Sequence, residues 1–385
     1  MRREPSPVRP DFSERLAEIG FVFADEGGEP CWDESVRYVF SLGEIEEDLE
    51  AATQELHALC LELVDQTVRN EALLRRLRIP LHAWDVIAES WKRRDPSLYG
   101  RFDLAYDGAG PAKLLEYNAD TPTSLVEAAV AQWHWLEQLM ASGALPKNAD
   151  QFNSLHEKLV TRWSEIRAKG ILHLACMSGS PEDLTTVSYL EECARAAGLS
   201  TKLLDVTAIG LLRKRSFIDP GGKNIDLLFR LYPWEWMFAD SFGSAAAMQR
   251  TQFIEPPWKM LLSNKAMLAL LWEMEPGHPN LLPCFLEDEP ASAILGDHYA
   301  RKPVYSREGA DIELVRAKDT ISGEKNGYGR EGFVRQALCP LPEFAGRYPV
   351  LGCWLVGDNP AGLGVREDRS PITSNHARFV PHIIV

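Results

Sequence analysis

From Arg101 to Asn118 the chain reads Arg-Phe-Asp-Leu-Ala-Tyr-Asp-Gly-Ala-Gly-Pro-Ala-Lys-Leu-Leu-Glu-Tyr-Asn. This is two strands, 101–106 and 112–118, around a Gly-Ala-Gly-Pro turn. Side chains alternate faces along a strand, so Arg101 and Asp103 point one way and Phe102 and Leu104 the other. On the second strand Leu114, Glu116 and Asn118 are expected to share a face. Pairing Asp107 with Ala112 sets Asp103 opposite Glu116 and Arg101 opposite Asn118. Two carboxylates, an amide oxygen and a guanidinium then meet on one small surface. Hard oxygen ligands of this kind suit magnesium, and arginine suits phosphate oxygens. The same alternation also describes a hairpin with a solvated polar face, and the hairpin alone does not separate the two.

The remaining totals narrow the class. A chain of 385 residues, 45% hydrophobic and 25% charged, has the composition of a soluble globular protein with room for two or three domains or one interdigitated unit. No apolar run approaches the roughly 18 residues of a membrane span, and no hydrophobic stretch follows the N-terminal Met-Arg-Arg-Glu-Pro-Ser-Pro, so neither a membrane nor a secretory role is expected. Seven cysteines without a C-x-x-C pair point to reduced thiols and a cytoplasmic setting. A net charge of -15 argues against a nucleic-acid partner and is compatible with a cationic substrate. No motif specifies an oligomeric state.

Before the hairpin, 12–23 reads as a short helix to Gly20 and an edge strand, and 34–42 as a strand or loop. Ile45, Leu49, Ala52, Leu56, Leu59 and Leu63 then draw one stripe of a long helix, and 82–93 is a second amphipathic segment. Thr121-Pro122 has the form of a helix start, Thr capping and Pro in the first turn, followed by a helix to Met140. Pro146–Asp150 is the best linker candidate. From 152 onward strands and helices alternate: a helix to Lys169, a strand 171–177, a helix 181–197, strands 202–206 and 225–231. That order predicts a parallel α/β layer, whose ligands bind beyond the carboxyl ends of the strands. Ser178-Gly-Ser-Pro-Glu182 lies at such an end, where a plain strand-to-helix turn is the alternative. A capped apolar helix from Ser263, a strand 298–305 and several C-terminal strands complete the chain.

Several chemistries are absent from the sequence. There is no G-x-x-x-x-G-K-[ST], no H-E-x-x-H and no Cys/His set at zinc spacing. Gly327-Tyr-Gly-Arg-Glu-Gly matches G-x-G-x-x-G but precedes a strand instead of a helix, so it reads as a turn or a loop able to close over phosphates. His173 and Cys176 read as core residues. Lys265 and Lys302 are ordinary taken singly, and gain meaning together if they neutralise the phosphates of a nucleotide between them.

The hairpin, Tyr232-Pro-Trp-Glu-Trp, Glu255-Pro-Pro-Trp, Ser263-Asn-Lys, Arg301-Lys-Pro, Arg307-Glu-Gly-Ala, Gly364-Val-Arg-Glu, Pro371-Ile-Thr and Pro381-His-Ile-Ile-Val follow one another over nearly the whole chain. As an ordered set they resemble the synthetase portion of the glutathionylspermidine synthase family. The resemblance implies an α+β fold, a circularly permuted ATP-grasp with a pre-ATP-grasp-like α/β domain. One unit, 12–385, would divide into helices and metal-binding hairpin (12–150), an α/β substrate domain (151–250) and a nucleotide-binding region (251–385). It implies an ATP-dependent carboxylate–amine ligase acting through an acyl phosphate on small-molecule acid and amine substrates, such as glutathione and a polyamine. A catalytically silent ATP–magnesium binding protein on the same scaffold is the alternative.

By the same resemblance Asp103, Glu116 and Asn118 hold Mg2+, while Arg101 and Arg366 stand at the reacting phosphate. Lys265, Lys302, Glu308, Gly309, Arg335, Gln336, Ala337, Pro371, Ile372 and Thr373 surround ATP, and Thr123 and Glu182 meet the peptide substrate. Leu231 and Val350 depart from the polar residues the family pattern has there. The match also leaves no room ahead of it for the amidase domain of bifunctional members.

Overall fold

The hairpin forms, and it is one side of a larger sheet. The computed structural model describes residues 1–21, 25, 26, 29–166 and 170–385; the edge strand expected after Gly20 and the end of the helix expected to reach Lys169 fall partly outside them. Strands Tyr99–Ala105 and Lys113–Asn118 are joined by Tyr348–Val356, Asn359–Asp368 and Arg378–Val380 in one antiparallel sheet, with Lys113–Asn118 at its edge. Phe102 and Leu104 enter the core; Arg101 and Asp103 face the opposite way. Arg101 lies flat across Gly352 of the neighbouring strand, where a Cβ would meet its Cδ at 2.8 Å, and ends 5.5 Å from the centre of the Trp354 ring.

The expected register holds at the polar end of the hairpin and fails towards the turn. Asp103 faces Glu116 and Arg101 faces Asn118, but Leu104 pairs with Leu114 and Ala105 with Lys113. Leu115 is thus an extra residue, a β-bulge. It turns Leu114 into the core against Leu104, so Leu114 does not share the face of Glu116 and Asn118.

A second antiparallel sheet runs in the order Cys284–Leu286, Phe333–Ala337, His298–Pro303, Glu313–Arg316, Asp319–Ser322. The expected parallel layer is present as Gln252–Ile254, Leu227–Leu231, Ile171–Cys176 and Ser200–Asp205, with helix Pro181–Ala196 packed on it. His173 is buried in this sheet, as a core residue. The Gly327–Gly332 run is a turn leading into strand Phe333–Ala337, and the Asp311 carboxylate accepts the N–H groups of Asn326 (3.1 Å) and Tyr328 (2.8 Å) to shape it.

Two local readings change. Thr121-Pro122 caps no helix: the helix begins beyond Ser124, which is left-handed at φ 71°. The segment instead lends its polar groups to distant partners, the Pro122 carbonyl to Tyr99 Oη (3.2 Å) and the Thr123 carbonyl to Arg101 Nη1 (2.6 Å). In the long helix a π-helical turn, Glu44–Glu50, precedes Ala51–Thr67; the expected stripe is buried at Ile45, Leu49, Ala52, Leu56 and Leu63, but at the one remaining position Leu59 is only partly covered and the adjacent Cys60 fully.

Glu255-Pro-Pro-Trp has a bracing role. The Glu255 carboxylate, inaccessible to solvent, accepts the N–H groups of Leu98 and Tyr99 (2.9 Å each) and pairs with Lys259 at 2.6 Å. That fixes the entry of strand Tyr99–Ala105. Among the described residues no helix is long and apolar enough to cross a membrane, and all seven cysteines are free.

Candidate active site

The two antiparallel sheets face each other across a cavity of ≈ 340 Å³, lined as well by Met177, Leu231 and Tyr232 at the carboxyl ends of the parallel strands. The hairpin sheet contributes Arg101, Asp103, Glu116, Asn118 and Arg366. Arg101 Nε and Nη2 reach the two Asp103 oxygens (2.7 and 3.1 Å), and Arg366 Nη2 reaches Oδ2 at 2.6 Å. Asn118 Nδ2 lies 3.2 Å from Asp103 and 3.3 Å from Glu116, so the three side chains converge from two paired strands.

Glu116 also pairs with Lys265 at 3.1 Å. Burial alone would push its carboxyl up, but Lys265 and Lys302 outweigh this and hold it well below the usual carboxylate range. Lys302 enters from the second sheet; burial lowers its ammonium to about 8, with Glu116 pulling the other way.

Most of the expected site residues line this one cavity, Thr123, Glu182, Glu308, Gly309, Gln336, Ala337 and Pro371–Thr373 among them. Gly309 is held by sterics: at φ 69° it lies against Ile372 and Thr373, where a Cβ would come within 2.5 Å of the Thr373 carbonyl oxygen. Lys265 lines a smaller adjoining cavity that shares Glu116 and Asn118 with the first, and its Nζ donates to the Ser306 carbonyl (3.0 Å). Arg335 does not line either: alternation along its strand turns it away, onto Glu287 (3.0 Å) and over Tyr299.

Three further charged residues, Asp183 and Arg307 in the cavity wall and Glu127 outside it, were not among the expected site residues. Asp183, next to Glu182, is raised to about 6 by burial and by that neighbour. Glu127 is almost wholly covered, and burial, then Glu182, pushes it up to about 8. Arg307 binds Thr121 Oγ1 (3.0 Å) and Glu235 (2.7 Å) beside Trp236. The available clue to Asp183 was its place beside Glu182 in the first turn of the helix that follows strand Ile171–Cys176; Glu127 sits in a plain apolar stretch.

Among the described residues no group of three or more His, Cys, Asp or Glu side chains is placed to hold a metal ion. The hairpin set is two carboxylates and one amide, and it fits magnesium, which takes few protein ligands beside phosphate oxygens and water.

The chain matches the family described as glutathionylspermidine synthase preATP-grasp over residues 3–385. It is 38% identical to a Haemophilus influenzae protein provisionally named an acid–amine ligase, over 98% of both chains. It is 27% identical to Crithidia fasciculata trypanothione synthetase, over 84% of this chain and 53% of that one. It is also 27% identical to the bifunctional glutathionylspermidine synthetase/amidase of Escherichia coli K12, over 88% of this chain and 58% of that one. The chain thus spans little more than half the length of these last two. A glutathione synthetase-like effector from Globodera pallida, in its apo form, superimposes with a TM-score of 0.57 over 99% of this chain and 100% of its own, at 13% identity, which shows a common fold. The chain belongs to the glutathionylspermidine synthase family, a family of ATP-dependent C–N ligases.

Proposed function

We propose that this protein is an ATP-dependent acid–amine ligase whose reaction takes place between the two antiparallel sheets. One observation carries the reading: paired carboxylates and two arginines on one sheet face a buried lysine on the other across a single cavity. A substrate carboxylate attacks the γ-phosphorus of ATP, giving an acyl phosphate and ADP. An amine then attacks the acyl carbon, phosphate leaves, and an amide forms.

In this reading Lys302 and Lys265 neutralise the nucleotide phosphates, and Arg101 and Arg366 cover the phosphoryl group in transit. Asp103, Glu116 and Asn118 would hold Mg2+, which supplies charge neutralisation at the phosphate oxygens. The apolar patch of Ala300, Leu314 and Ile372, next to Gln336 and Ala337, offers a surface for the base. Glu308–Gly309 and Pro371–Thr373 lie beside it. Thr123 and Glu182 stand towards the acid and the amine, for which glutathione and a polyamine are the first candidates, and Glu182 with Asp183 offers negative charge to a cationic amine.

The reading takes the fold as a circularly permuted ATP-grasp, because the hairpin ligands precede both lysines in the chain. Residues 151–250 serve as the substrate-side domain, and the nucleotide region 251–385 works with the hairpin of 12–150. A cytoplasmic setting would keep the seven free thiols reduced.

The test is ADP release over a panel of peptide acids and amines, with Asp103→Ala/Glu116→Ala as background. At least one pair should exceed that background by roughly 100-fold or more. Nucleotide binding without turnover on any pair would make the protein a silent scaffold and sink the ligase reading.

A further inference from the structure

Lys302 and Gln336 are diagonal neighbours on paired strands of the second sheet, Lys302 opposite Val334 and Gln336 opposite Ala300, and together they meet the hairpin at its bulge. Lys302 Nζ donates to Gln336 Oε1 at 2.7 Å and to the Leu115 carbonyl at 2.9 Å. Gln336 Nε2 donates to the Leu114 carbonyl at 2.9 Å. Both side chains are buried, Lys302 at 6% and Gln336 at 1% exposure. The amide has only one workable orientation, since a carbonyl oxygen can only accept and an ammonium can only donate.

The bulge makes this possible. Successive carbonyls of a regular edge strand point to opposite sides. At Leu115 the alternation breaks, and two consecutive carbonyls serve one pair of side chains from the facing sheet. The lysine ammonium has three N–H groups. Two are taken by Leu115 and Gln336, which leaves one for an outside acceptor.

We propose that Gln336 is a positioning residue acting through Lys302: with the bulge carbonyl of Leu115 it aims the remaining N–H of Lys302 into the cavity, at an oxygen of an anionic ligand. In this role Gln336 acts through the lysine: its Oε1 accepts from Lys302 while one N–H of its Nε2 donates to the Leu114 carbonyl, which fixes the amide in place. The inference rests on the cavity being the nucleotide site, so the anion is a nucleotide phosphate. It makes the bulge part of the binding machinery.

The competing role for Gln336 is glue between the sheets, independent of Lys302. A double-mutant cycle separates the two. ADP affinity is measured by calorimetry without metal for the parent, Lys302→Met, Gln336→Met and the double variant, each with its melting temperature. Gln336→Asn, one bond too short to bridge both partners, repeats the cycle with a milder change if the Met variant folds poorly.

The expected result is a loss of roughly 10- to 100-fold for Gln336→Met or Gln336→Asn, the range for a hydrogen bond to a charged group. The double variant should bind no more weakly than Lys302→Met alone. The proposal is overturned if the Gln336 change leaves affinity unaltered, or if its loss adds in full to that of Lys302→Met. Failure of the parent to bind ADP at all would overturn the nucleotide reading and this inference together, an outcome distinct from either of the others.

Discussion

Asp183 and Glu182 stand side by side in the first turn of helix Pro181–Ala196, at the cavity wall. Burial and then the Glu182 charge raise the Asp183 carboxyl from 3.8 to about 6. An acid whose value rises on folding costs stability once it must ionise. The cost is absent below the unfolded value, grows between the two values and is complete above the folded one. Asp183→Asn is therefore expected to stabilise the protein at pH 7.5, by about 1 kcal/mol once solvent screening of a partly exposed group is allowed for. That advantage should fade as pH falls through about 6 towards 4. Urea denaturation at the two ends of this range is the measurement, and a gain that ignores pH would show that the charge is not its source. At this scale the sequence spoke where period-two alternation applies: Arg101, Asp103, Glu116 and Asn118 could be set on one face by counting. Glu127 could not, because only the folded neighbours Glu182, Arg101 and Arg366 give its carboxyl a setting.

Elements were read to within a few residues where pattern and length agree, as in Ile171–Cys176, Leu227–Leu231 and Pro181–Ala196. The bulge escaped because Leu114 and Leu115 are both apolar, so the hydrophobic pattern accepts either register. The Thr121-Pro122 cap was misread because Tyr99 and Arg101 use the backbone there, and propensity does not report tertiary hydrogen bonds. The entry of strand Tyr99–Ala105 hangs on the Glu255–Lys259 pair, buried on both sides. Lys259→Met would leave a buried carboxylate without its cation, at a cost of about 3–5 kcal/mol. Glu255→Gln/Lys259→Met should recover part of that loss in chemical denaturation. A double variant as unstable as the single one, or more so, would remove the ion pair as the reason for the brace.

The molecule as a whole is stitched from distant stretches of chain. Strand Val36–Phe40 pairs with Arg2–Pro5 on one side and His382–Ile384 on the other. His382 is fully buried, accepts the N–H of Phe152 (3.1 Å) and contacts Gln132 (2.9 Å); burial depresses its imidazole to about 3, so it stays neutral. Removing residues 381–385 strips out His382 and the buried Ile383, and is expected to cost at least about 4 kcal/mol, read as the melting temperature by circular dichroism. A truncated chain melting with the parent would show that this strand is dispensable. Such partnerships were beyond the sequence taken segment by segment, since alternation marks a strand without naming its neighbour. The hairpin has the same history in time. Its inner strand Tyr99–Ala105 needs Tyr348–Val356 as its second neighbour, and at about 5–20 residues per second a ribosome delivers that strand, about 240 residues on, only after roughly 10–50 s. Through that interval the growing chain carries an open, apolar sheet edge of the kind that recruits other chains. In overproduction the vulnerable species is therefore the unfinished sheet, and shielding it during synthesis matters more to yield than further stabilising the folded protein.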